Sequence, residues 1–160
     1  MTNLTQTKKK SVGAIVEKRF EYKGFPCVVI MQSMAFRTGY VGIPKGHKLY
    51  GKYYNEDYSL ENIECNGGLT YSCDYLFGQN DKDTWWIGYD CGHCWNGYAV
   101  DDALELFRDY PGNIERIKHN YEQGIYDMSW TSEIFITMTL QDCEEECKRI
   151  VDQILQMEEK

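Results

Sequence analysis

At 160 residues, with 42% apolar and 26% charged side chains, the chain has the size and composition of one globular domain, which excludes wholesale disorder. Its formal charge of −8 argues against direct nucleic-acid binding, which favours a basic total. No apolar run approaches the roughly 20 residues that a membrane-spanning helix needs, so no membrane partner is expected.

The charge is divided along the chain. Residues 1–52 carry ten Lys/Arg against two Glu, net +8, and the remainder carries seven against twenty-three, net −16. Lys8, Lys9 and Lys10 read as part of a solvated tail, and the acidic excess reads as a solubilising surface. Residues 1–12 are polar and basic, with nothing resembling a secretory signal, and the seven cysteines are an odd number. Reduced thiols and a cytoplasmic location are therefore expected.

In chain order, residues 1–12 form a flexible leader and 13–160 a single domain. The apolar residues of Gly13–Glu21 suggest a first strand, and Tyr22-Lys23-Gly24 a turn into Phe25–Met31, a buried strand. Arg37–Ile43 is a third strand, and short turns imply antiparallel pairing. Pro44–Asp57 is a polar loop too long for a simple turn. Residues 59–65 and 69–75 read as two strands of a hairpin about Asn66-Gly67-Gly68. Thr84–Tyr89 is the next strand, and it leads into Asp90-Cys91-Gly92-His93-Cys94.

A helical part begins near Val100, with Val100, Ala103, Leu104 and Phe107 at helical spacing and Asp101 and Asp102 at its start. Pro111-Gly112 interrupts it, and a second segment runs through Ile114, Ile117 and Tyr121 to Gly124. Glu133–Thr139 is apolar and β-branched, so it reads as a strand. The last helix spans about Gln141–Met157, with Cys143, Cys147, Ile150, Val151, Ile154 and Met157 on its apolar stripe. Asp142 and Glu145 have the spacing of a capping box. The fold class is α+β: a mainly antiparallel sheet followed by a helical C-terminal third that ends in a long helix.

Three segments concentrate glycine, aromatic and polar residues at strand ends: Gly39–His47, Gly67–Ser72 and Trp85–His93. Loops that converge at strand ends build pockets. Tyr40, Tyr71, Trp85 and Trp86 are candidates for stacking a nucleobase, and Arg37, Lys45 and His47 for holding a phosphate. Thr70 and Ser72 share one side of their strand and could donate to hydroxyls or phosphate, while Tyr71 points the other way. The plainer reading makes the glycines turn residues and the rings core.

Asp90, Cys91 and His93 raise the alternative of catalysis, with Cys91 as a nucleophile or Asp90 or His93 as a general base. Cys91, His93 and Cys94, joined by Cys65 or Cys73, have the chemistry of zinc ligands, but a single Cys-x-x-Cys falls short of a zinc ribbon. The Walker loop, the dinucleotide fingerprint and His-Glu-x-x-His are all absent. No cofactor and no resident metal are expected.

The blocks Phe36–His47, Gly67–Ser72 and Trp85–His93, with Leu49-Tyr50-Gly51 after the first, resemble a family of small bacteriophage and prophage proteins. The resemblance covers residues 25–95 and extends to the helical third only in pattern. The chain departs from the family at Gly92, often Ala there, and near Cys94-Trp95, where the family has Gly-Asp. The resemblance implies an origin and a counter-defence role in a bacterial host's cytoplasm. With the ring-rich segments, it leads to the expectation that the protein sequesters a nucleotide-derived immune signal, cyclic ADP-ribose-like or a cyclic dinucleotide. Asp90 and His93 would join Arg37, Tyr40, Lys45, His47, Thr70, Tyr71, Ser72, Trp85 and Trp86 in its pocket. A hydrolase of that signal using Asp90 and His93, and an inhibitor that binds a host effector protein through the acidic helical surface, are the alternatives. A homo-oligomer with sites at its interfaces fits the small size.

Overall fold

The computed structural model describes residues 9–78, 82–93, 95–127 and 135–159. It is an α+β fold, with a five-stranded antiparallel sheet in the first half of the chain and helices after it. Strands β1 (Ala14–Tyr22) and β2 (Phe25–Gln32) form a hairpin. Its two-residue turn places both Lys23 (φ 48°) and Gly24 (φ 87°) in the left-handed region, the geometry that matches strand twist. Strand β3 (Arg37–Pro44) pairs with β2, and β5 (Thr84–Asp90) pairs with β3. The three-residue β4 (Tyr71–Cys73) closes the far edge, giving the order β1-β2-β3-β5-β4.

Two expected strands fall elsewhere. Residues 59–65 begin as a helical turn, α1 (Tyr58–Glu61), because Asp57 caps it by accepting from the Ser59 and Leu60 N–H groups. The Asn66-Gly67-Gly68 turn therefore does not join two strands, and β4 finds its partner in β5 instead. Of the expected strand at 133–139, residues 133 and 134 lie outside the described residues. The rest makes one isolated parallel bridge, Asn96 to Ile136, and does not join the sheet. The described end of the expected leader is tied down: Asn113 Oδ1 accepts from the Val12 N–H at 2.8 Å, and Asn113 Nδ2 donates to the Val12 carbonyl at 2.7 Å.

Helices α2 (Val100–Leu106) and α3 (Pro111–Glu122) pack Ala103, Phe107 and Ile117 around Met31 and Ala35 at one end of the sheet. Pro111 starts α3 rather than merely interrupting a helix, since its missing N–H costs nothing in the first turn. Helix α4 (Leu140–Glu158) lies across one sheet face. Its capping box is offset from expectation: Thr139 is the N-cap and Asp142 is the reciprocating third residue. Cys143, Cys147, Ile150, Val151 and Ile154 are fully buried against Cys27, Val29, Val41, Ile43, Ile87 and Tyr89. Each large apolar side chain buried this way contributes about 1.5–3 kcal/mol. Among the described residues, no helix is long and apolar enough to cross a membrane.

A buried charge fastens these layers together. Arg37, only 2% exposed, donates from Nε and Nη2 to both oxygens of Glu17 at 2.8 Å. It also donates to Asp102 Oδ2 at 2.8 Å and to the Met138 carbonyl at 3.0 Å. Glu17 sits at the irregularity between Val16 and Lys18 in the β1–β2 register, where the bulge aims it at Arg37. Burial works against the guanidinium charge, but the bonds to Glu17 and Asp102 outweigh it and raise the pKa. Removing one partner strands the other, so Arg37→Ala is expected to lower the unfolding free energy by about 3–5 kcal/mol. Joint replacement of Glu17 and Arg37 by Met should recover much of that loss. Urea unfolding of both variants measures this, and a loss near zero in the single variant would show that the network holds nothing.

Candidate functional site

The alternation of side chains along β3 and β5 sorts the expected ligand residues onto two faces. Trp85 and Tyr89 belong to the core beneath α4, whereas Tyr40 and Trp86 belong to the opposite face with Val28, Ile30 and Leu76. Tyr71 joins the second group from β4, meeting Tyr40 edge-on with centroids 5.2 Å apart. Close packing explains two glycines here. A Cβ on Gly88 would run into the Tyr40 ring, and one on Gly42 into Pro26, Thr84 and the Trp86 ring.

The chain after β4 straps this face. Leu76 is buried on the rings, the Tyr71 hydroxyl donates to the Tyr75 carbonyl, and Gly78 O accepts from Arg19 at 3.0 Å. Tyr75 and Phe77 of the same strap remain exposed. Beneath it the Trp86 indole N–H, on a side chain 2% exposed, has no hydrogen-bond acceptor among the described residues. An unmet buried donor costs about 1–3 kcal/mol and calls for an explanation.

At the end of the same face stands Asp90. Its Oδ2 accepts from Thr70 Oγ1 at 3.0 Å and its Oδ1 from the Gly92 N–H at 2.9 Å. Tyr40 lies close enough to feel this carboxylate; burial first, and Asp90 after it, raise the phenol pKa. Thr38, opposite Asp90 in the register, accepts from Gln32 Nε2 at 2.9 Å. His93 Nε2 is 3.4 Å from Asp90 Oδ1, within ion-pair range but too poorly aligned for a hydrogen bond. The His93 ring lies flat on Trp95, centroids 4.5 Å apart and planes 11° apart. Trp95 in turn donates to Asn66 Oδ1 at 3.0 Å, and Asn66 Nδ2 donates to the Asp90 carbonyl and to Asn96 Oδ1, each at 3.1 Å.

The remaining candidates lie elsewhere. Arg37 is enclosed by carboxylates at the start of β3, while Lys45 pairs with Asp83 at 3.7 Å and His47 with Glu158 beyond its other end. An eight-residue strand separates Arg37 from Lys45 and His47 by about 25 Å, so the three do not converge on one phosphate. Trp85 donates its indole N–H to the Lys52 carbonyl at 2.9 Å, and Ser72 Oγ accepts from the Tyr54 N–H at 3.2 Å, away from the strapped face. Cys91 is buried toward α4, where a hydrogen bond with Cys143 and then burial push its thiol pKa up. That environment withholds the thiolate a nucleophile needs. Cys94 lies outside the described residues, and among those described no cluster of three or more His, Cys, Asp or Glu is placed to hold a metal.

Sequence reasoning missed Asn66, Trp95, Asn96, Gln32 and Thr38. Asn66 and Gly67 were legible only as a turn, yet Gly67 (φ 75°) lies directly against the His93 ring, leaving no room for a Cβ. Gly67→Ala is therefore expected to displace His93 from Trp95 and to cost at least about 1 kcal/mol from the backbone alone. Trp95 fluorescence and thermal unfolding report both effects, and an unchanged emission spectrum would contradict the stacked arrangement. No family model, curated protein or solved structure matches the chain.

Proposed function

We propose that this protein binds a ring-bearing small molecule of the nucleotide-derived class on the strapped sheet face, between Tyr40, Tyr71 and Trp86, with Asp90 and Thr70 at its edge. The observation that carries this reading is the buried Trp86 N–H, which has rings beside it and no acceptor among the described residues. A nucleobase carbonyl or ring nitrogen satisfies that donor once the strap at 74–78 moves aside. Stacking on the tyrosines adds about 1–3 kcal/mol per base, and Asp90 accepts from a ribose hydroxyl or an exocyclic amine. Because Arg37, Lys45 and His47 lie off this face, base and sugar rather than phosphate dominate recognition. Joined to the bacteriophage resemblance of its sequence blocks, the reading makes the protein a sponge that withholds a nucleotide-derived immune signal from its receptor. A sponge needs tight binding and no nucleophile, which suits a buried, protonated Cys91.

The Asp90–His93 approach at 3.4 Å favours one second reading, hydrolysis of the same signal with His93 as a base beside the Asp90 carboxylate. Native mass spectrometry of protein purified from signal-producing cells distinguishes the two. Sequestration predicts a bound mass that is released intact by heat, and hydrolysis predicts a chemically altered product. Trp86→Phe, which removes the N–H and keeps an aromatic ring, is expected to weaken binding about tenfold, the equivalent of about 1.4 kcal/mol. Tyr71→Ala should weaken it by at least as much. If both variants fold and bind as the parent does, the ligand does not sit on this face.

A further inference from the structure

The interface between the sheet and α4 is unusually rich in sulfur. Of the six described cysteines, Cys27, Cys91, Cys143 and Cys147 are all buried there. Core packing alone accounts for a small apolar side chain at each position. Two of them also meet sulfur to sulfur from different elements: Cys91 Sγ, just past the end of β5, lies 3.7 Å from Cys143 Sγ in the first turn of α4. We propose that Cys91 and Cys143 are a peroxide-sensitive dithiol, oxidised to a disulfide that staples α4 to the end of β5.

The geometry asks for little movement. A disulfide needs its sulfurs about 2.05 Å apart, so the pair must close by about 1.7 Å, within reach of side-chain rotation and a small backbone shift. The thiols are not equivalent. Cys143 occupies the fourth position of a capped helix, with its N–H bonded to the Thr139 carbonyl, and the N-terminal turn of a helix favours an anion. A hydrogen bond with Cys91 lowers its pKa in spite of burial, with help from Tyr89 and the Arg37 charge. Its place in the capped first turn of α4 makes Cys143 the attacking group and Cys91 the resolving one.

The oxidant is hydrogen peroxide or another small hydroperoxide, which burial admits more readily than a bulky disulfide. The Cys143 thiolate attacks one peroxide oxygen. The O–O bond breaks, the leaving oxygen takes a proton, and Cys143 becomes a sulfenic acid. The sulfenic oxygen takes the Cys91 proton, and the Cys91 sulfur, made a thiolate only in this step, attacks Cys143 Sγ. The S–O bond breaks, and the oxygen departs as water with the Cys91 proton. Two thiols and one hydrogen peroxide give one disulfide and two waters. The link joins cysteines 52 positions apart in the chain and grips the chain between Asp90 and His93, so oxidation also sets the position of that pair. The staple itself requires no ligand.

The test uses a variant in which Cys65, Cys73 and Cys94 are replaced by Ser, alongside the parent protein. After mild peroxide treatment, intact mass should fall by about two units, the two thiol hydrogens. Peptide mapping should find Cys91 joined to Cys143, reversibly with dithiothreitol. The oxidised form should unfold about 5–10 °C higher than the reduced one. Cys143→Ser in the same background should abolish the link. Mapping of the parent protein gives the same answer should the triple replacement fold poorly. The proposal is overturned if Cys91 and Cys143 both remain free for alkylation after oxidation and unfolding, or if the only link found joins Cys27 to Cys147.

Discussion

Burial of one helical stripe against one sheet face organises this molecule. Cys143, Cys147, Ile150, Val151 and Ile154 occupy the side of α4 that meets β2, β3 and β5, and all five are removed from water. Once α4 covers that face, strand alternation commits every second residue of β3 and β5 to it and the rest to the opposite side. Trp85 and Tyr89 thereby become core, and Tyr40 and Trp86 become the floor of a strapped ring cluster. A shift of register by one residue would exchange the two sets, so core and candidate site are two consequences of the same packing.

The division of charge along the chain acquires a tertiary meaning. Basic residues of the first third face acidic residues of the helices: Lys9 pairs with Glu115, Lys18 with Glu144 and Lys23 with Asp152, each within 3 Å. Exposed pairs of this kind contribute only about 0–1 kcal/mol each. Arg37 is the exception, because it is buried and its carboxylate partners arrive from β1 and α2. Its four hydrogen bonds tie the sheet edge, α2 and the approach to α4 at one point. A cation that sequence chemistry offers as a phosphate ligand is occupied by protein carboxylates.

The candidate site was legible in part. The three ring-rich blocks do come together, since β3, β5 and β4 are neighbours in the sheet, and Tyr40, Tyr71, Trp86, Thr70, Asp90 and His93 share a face or its margin. Its outer wall was not legible. Trp95 and Asn66 are 29 positions apart and meet through a side-chain hydrogen bond, which neither periodicity nor motif records. The expected hairpin at 59–75 misled for a related reason: Asn-Gly-Gly announces a turn but not the partners of the chain on either side, and the Asp57 cap had already drawn residues 58–61 into a helical turn.

What the sequence determined by itself is local and periodic. The strands at 14–44 and 84–90, the helical segments after Val100 and the apolar stripe of α4 follow from alternation, helical spacing and capping chemistry, which act within a few residues. Only the tertiary structure decided which face each ring occupies, that Arg37 is spent on Glu17 and Asp102, and that Cys91 meets Cys143. Those outcomes depend on pairings between distant segments, and their energies arise only when desolvation brings such segments into contact.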